Sequence, residues 1–244
     1  MNKKTWVWIA TGVVIIGAVT AFAFLNNSLG NNVEIESVIP AQEQGTNSAG
    51  TAAANANANA SGETASGAAV TAEQLNGAWS IADTSKVYWS VTTSKETVNF
   101  VNEKVQGTWN VNLEDAAAMT GEGTLEMSAL DSENAQRDEH VKSDDYLAVT
   151  QFPQSTFTVK SFSELPAEWT EGTAVPVEMQ GTLTVKGIEK DVTFQSQAVY
   201  SGGQLLLSGT TTVTFEDFGM VSPHSIVLDT ENNLEVRLEL TLTK

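Results

Sequence analysis

Two histidines, His140 and His224, and no cysteine are all that 244 residues offer in soft metal ligands and near-neutral bases. Without Cys there is no thiolate nucleophile, no disulfide and no Cys-containing zinc or iron–sulfur site. Asp138 and His140 stand two apart, which is not a recognised zinc spacing. His140 therefore reads as a helix residue bonding to its neighbours. His224, within Val221-Ser222-Pro223-His224-Ser225, reads as a solvent-facing loop residue. The sequence contains no G-x-S-x-G, H-E-x-x-H, P-loop or dinucleotide fingerprint. Its 30 Asp and Glu fall mostly on the polar parity of strands or in turns, where a solvated surface explains them. No catalytic residue, metal or cofactor is expected, and the chain reads as a non-enzyme.

The remaining candidate site is apolar. Trp89, Trp109, Met127, Phe157, Met179, Phe194, Leu207 and Phe215 lie in strand-like segments, several on the parity assigned to the interior. In an arbitrary β-domain such residues simply fill the core. Around a cavity they would hold a long apolar molecule, because burial stabilises by about 25 cal/mol per Å² without polar contacts. Met127 and Met179 would adapt to a flexible chain. The net charge of -18, with Lys and Arg occurring singly, repels nucleic acid and anionic lipid. No nucleic-acid partner is expected, and no protein partner is indicated.

Strands must position these residues. From Asn76 onward apolar side chains alternate with period two, the pattern of strands with one buried face. Val175, Val177, Met179, Gly181, Leu183 and Val185 keep one parity, as do Leu234, Val236, Leu238, Leu240 and Leu242. Glu235, Arg237 and Glu239 point the other way. Lys186-Gly187, Ser201-Gly202-Gly203 and Glu231-Asn232-Asn233 supply turns. About eight or nine antiparallel strands result, and period alone allows either a barrel or a sandwich. Residues 134–147 are charge-rich and suit a short helix or a lid-like loop, which Pro153 terminates.

The N-terminal third is organised differently. Residues 1–5 carry Lys3 and Lys4, and residues 6–25 form an uncharged apolar run of 20 residues. At about 1.5 Å per residue such a helix spans roughly 30 Å, a bilayer's hydrocarbon thickness. The lysines would stay cytoplasmic and place the rest outside the cell membrane, as a single-pass anchor. Ala21-Phe22-Ala23 offers the rival reading, a cleaved signal peptide and a secreted domain. Phe24 and Leu25 continue the run beyond that site and favour the anchor. Residues 26–75, rich in Ala, Asn, Gly and Ser, read as a disordered linker with ends roughly 40 Å apart. Residues 76–244 are the folded domain.

Arg137-Asp138-Glu139-His140-Val141-Lys142-Ser143-Asp144-Asp145-Tyr146-Leu147 resembles the R-D-x-H-L-K-S-x-D-[FY]-[FL] segment of the YceI-like, polyisoprenoid-binding family. Phe152-Pro153 with Phe157, and Gly181-Thr182-Leu183-Thr184-Val185-Lys186-Gly187-Ile188-Glu189-Lys190, resemble its later elements in family order. The resemblance implies an all-β, lipocalin-like antiparallel barrel of about eight strands with a short helical segment. It implies an isoprenoid, quinone-like lipid or other long amphiphile in the bore. Arg137, Asp138 and His140 would then be either structural or contacts to a polar head. Asp83-Thr84-Ser85 departs from the family, which often carries His there. A non-catalytic interaction module with a filled barrel is the alternative.

Overall fold

The computed structural model describes Gly30, residues 33–39, residues 67–222 and residues 230–244. The apolar run 6–25 and His224 lie outside the described residues, so the anchor and that loop assignment are not seen. Among the described residues no helix is long and apolar enough to cross a membrane.

The elements are β1 (Ala69–Val70), α1 (Ala72–Leu75), β2 (Gly77–Ile81), β3 (Lys86–Thr93), β4 (Thr97–Asn102), β5 (Val105–Val111), β6 (Thr120–Glu126), α2 (Ala135–Lys142), β7 (Gln154–Phe162), β8 (Trp169–Thr170), β9 (Val175–Val185), β10 (Ile188–Ser201), β11 (Gln204–Thr214) and β12 (Thr230–Thr243). Ten strands form one antiparallel sheet, and pairing of β11 with β12 closes it. β2 and β3 are halves of one stave, since both run along β12, with Ile81 opposite Leu242 and Lys86 opposite Glu239. β4 and β5 continue each other in the same way against β3 and β2. The ten strands therefore make eight staves in chain order, an up-and-down barrel. Closure decides against the sandwich.

Buried polar side chains mend the ladder where the split staves bend. Between β2 and β3 the Ser85 hydroxyl accepts from Thr241 N–H (3.0 Å) and donates to Thr241 O (3.2 Å). Between β4 and β5 the Asn102 amide donates to Glu126 O (2.9 Å) and accepts from Lys104 N–H (2.9 Å). Such bonds satisfy backbone groups that the bends leave exposed to the core.

The expected alternation places Val175, Val177, Met179, Leu183 and Val185 inside, all buried. Gly181 fits the same row because neighbouring groups need its space. A Cβ there would lie 2.4 Å from Thr158 O and 2.6 Å from the Phe157 ring.

The two barrel ends differ. At one, α1 and the β1–β8 ribbon insert Val70, Leu75 and Trp169, all buried. The Trp79 indole N–H donates to Leu75 O (2.8 Å), and Lys244 Nζ donates to Gln74 O (2.8 Å) and Asn76 O (2.9 Å) at the end of α1. The folded unit thus begins before Asn76, because Val70 and Leu75 plug this end. At the other end lie the β6–β7 connection with α2, the β9–β10 turn and the β11–β12 connection. The charge-rich stretch is helical over Ala135–Lys142, capped by the Asn134 side chain.

Residues 33–39 also depart from a plain linker: they lie along the outer wall across β4, β3 and β12. Val33 is buried, and its carbonyl accepts from the Asn99 amide (3.0 Å). Glu36 N–H donates to the Tyr88 hydroxyl (3.2 Å), and the Glu36 carboxylate pairs with Lys86 (2.8 Å). That bond pushes the Lys86 ammonium up to about 12. The Ser37 hydroxyl and the Val38 N–H donate to one oxygen of Glu239, at 3.2 and 2.9 Å. The other oxygen accepts from Ser208 (2.7 Å) and lies 3.6 Å from Arg237. Glu239 does point outward, as its parity requires, yet it is fully buried beneath this arm.

Two outcomes follow for stability. Gly181→Ala should lower it by about 1–3 kcal/mol in urea unfolding, as overpacking against a carbonyl and a ring. Asp217 bonds Lys190 and accepts from Thr214 N–H (2.9 Å), and chiefly the Lys190 bond holds its carboxyl below the usual range. Its contribution is present above its unfolded value near pH 4 and is lost as pH falls through the lower native value. Asp217→Asn should therefore cost about 0.5–1 kcal/mol at pH 7, with the gap to the parent closing on acidification.

Candidate functional site

Inward rows from seven of the staves leave a cavity of about 40 Å³ in the bore. Trp89 and Trp109 bound it on one side, Phe157 and Phe194 on the other, the last two edge-to-face with centroids 4.9 Å apart. The wall recedes at Gly123. On the same inward row a Cβ at Gly121 would sit 3.2 Å from Trp109, whereas one at Gly123 would have only Ile81 Cδ1, at 3.8 Å. Val236, Leu238 and Leu240 of β12 complete the apolar side.

Three residues of this lining carry buried polar groups. The indole nitrogens of Trp89 and Trp109 and the Ser155 hydroxyl are buried and lack hydrogen-bond partners. All three residues line the cavity. Each unpaired group costs about 1–3 kcal/mol relative to a bonded one. The indoles can only donate, while the hydroxyl can donate or accept. The surface that the cavity presents is almost wholly apolar and suits an apolar molecule. Among the described residues no Asp, Glu, His, Lys or Arg lines the cavity. Among the described residues no cluster of three or more His, Asp or Glu is placed to hold a metal.

The structure divides the sequence-based candidates. Trp89, Trp109, Phe157 and Phe194 meet around the cavity. Met127, Met179, Leu207 and Phe215 are buried but lie elsewhere in the core, so they are not part of its wall. Met127 opens a short 3-10 turn after β6, and Phe215 follows β11 at the α2 end. Parity identifies the inward face; it does not give height along the bore. Gly123 and Ser155 were missed because neither is large and apolar, although both occupy inward positions next to residues that alternate.

Arg137, Asp138 and His140 sit on α2, outside the cavity. The buried Asp138 accepts from the Ser132 hydroxyl (2.6 Å) and N–H (3.0 Å), tying the helix to the preceding turn. Burial pushes its carboxyl up, against those two bonds. Arg137 donates to Gly30 O at 2.7 Å, and desolvation lowers its guanidinium from the ordinary value. His140 is exposed and packs on Tyr146, with centroids 4.8 Å apart. Asp138 fastens the helix and Arg137 the N-terminal arm, and none of the three lines the cavity.

Comparisons with known proteins agree with this architecture. The chain is 30% identical over 96 residues to Protein YceI of Shigella flexneri, covering 39% of this chain and 46% of that protein. It is 31% identical over 103 residues to a UPF0312 protein of Shewanella baltica, covering 40% and 50% respectively. The chain thus spans about half the length of these curated relatives. Crystallised BcnA of Burkholderia cenocepacia superposes with a TM-score of 0.55 at 18% identity, over 64% of this chain and 95% of that one. A polyisoprenoid-binding domain from Saccharophagus degradans, implicated in plant cell wall breakdown, gives 0.55 at 11%, over 68% and 97%. At such identities the likeness concerns the fold alone. The YceI-like domain family matches residues 79–242, which run from the first stave to the last, and the chain belongs to that family.

Proposed function

We propose that this protein is a non-catalytic carrier that takes an isoprenoid, quinone-like lipid or other long amphiphile into its barrel. The observation that carries the reading is the apolar cavity, whose lining includes three residues with unpaired polar groups. An acceptor oxygen on the ligand would satisfy Trp89, Trp109 or Ser155, while apolar burial supplies most of the affinity. Description of a relative of the same fold as polyisoprenoid-binding supports the choice. The uncharged lining among the described residues favours a neutral head. The Lys3-Lys4 and 6–25 pattern supports a single-pass anchor with the barrel outside the cell membrane.

The size of the cavity favours a second reading. About 40 Å³ is an order of magnitude below the roughly 300–1,000 Å³ of ordinary ligand pockets. Ligand entry therefore requires the Trp89 and Trp109 rings to turn and the α2 end to yield. A barrel that stays filled would act through its surface, as an interaction module.

Native mass spectrometry of the full chain purified from its own host separates the two. The carrier reading expects a bound long-chain lipid at up to one per chain. Gly123→Val should remove it without loss of thermal stability, because the added methyls fill the void. Trp89→Phe combined with Trp109→Phe should weaken binding about tenfold if one indole bond is lost. A lipid-free chain that also fails to take up farnesol or a short-tailed quinone would establish the filled barrel instead.

A further inference from the structure

The N-terminal arm makes a second built feature, remote from the bore. Val33 O, Glu36 and Ser37–Val38 are fastened to Asn99, Lys86 with Tyr88, and Glu239 respectively. Gly30 O is fastened to Arg137 on α2. The arm joins no strand ladder, so a few side-chain bonds hold it, and it can open without unfolding the barrel.

Two further observations give the fastening a direction. Arg137 stands at the α2 end of the barrel. Ile188 and Val221, 40% and 75% exposed, are the large hydrophobic residues that the described surface leaves open. Ile188 starts β10 and Val221 follows β11, which puts both at that same end.

We propose that residues 33–39, with the bond from Gly30 to Arg137, are a releasable latch that holds the α2 end, with Ile188 and Val221, toward a bilayer surface. The membrane part rests on the anchor reading above. Gly30 follows the end of the apolar run, Leu25, by five residues, at most about 18 Å of extended chain. With the latch released, the lead would run to Gly67, 42 residues after Leu25 and up to about 150 Å. The latch thus converts a long tether into a short one and selects which end meets the lipid. The net charge of -18 makes a zwitterionic surface the better match.

The test uses the full chain in phosphatidylcholine nanodiscs, with hydrogen exchange read over residues 33–39. Val38→Pro removes the N–H that Glu239 accepts and leaves the barrel untouched; Glu239→Gln weakens the same clasp from the barrel side. Exchange of the arm's remaining amides should be roughly tenfold or more faster in Val38→Pro than in the parent, the scale of one charge-assisted bond. Because the chain has no Cys, dyes can be placed singly through Asp145→Cys at the α2 end or Glu114→Cys at the other. Energy transfer to headgroup dyes should be stronger from position 145, and Val38→Pro should abolish that difference. Arm amides that exchange equally fast in the parent and in Val38→Pro would overturn the latch. Equal transfer from both positions in the lipid-bound parent would overturn the orientation. A chain that stays out of the nanodisc would overturn the anchor reading, while exchange measured in solution still decides the latch.

Discussion

Pairing of β11 with β12 along ten residue positions is the constraint from which the other features follow. An open sheet would leave two edges and two faces to be covered; closure leaves a bore and a wall. Inward residues must then share a fixed cross-section, which is why glycine recurs among large rings. The ends need separate plugs, supplied by α1 with the β1–β8 ribbon and by the α2 connection. Any further segment of the chain can find a place only on the outer wall, where the N-terminal arm lies.

The void itself follows from how rings and glycines meet. A side chain at Gly121 would run into Trp109, and one at Gly181 into Phe157, so both glycines are occupied by a neighbour's ring. Gly123 is left uncovered, and the void sits against it. Room in the bore therefore depends on a single missing side chain beside the rings of Trp89 and Trp109. Their unpaired indoles make the collapsed arrangement less favourable than a fully satisfied core would be.

Much of this was legible in the sequence, and the limits have physical causes. Alternation along β9 and β12 is readable because a strand's period is two whatever it pairs with. Closure is not readable that way, since it depends on which strands meet; the family-like motifs supplied it. Trp89, Trp109, Phe157 and Phe194 were identifiable by size and parity, but Met179 and Leu207 share those traits and lie away from the void. Height along the bore comes from register, which parity does not record. The arm hid inside a stretch of Ala, Asn and Ser, although Val33, Ile35, Val38 and Ile39 are a concentration of β-branched apolar residues there. Glu239 had the correct direction and the wrong surroundings, because its cover comes from 201 residues earlier in the chain.

That cover changes the character of the last strand. From Leu238 to Leu242 every residue of β12 is buried, Glu239 beneath the N-terminal arm and the even positions in the bore. A stave of an ordinary water-facing barrel tolerates polar exchange at every second residue, whereas this stretch has the two-sided confinement of a central strand in a layered α/β protein. Inherited variation here would carry no alternating rhythm, and a neutral drift at Glu239 would be as constrained as one at Leu240.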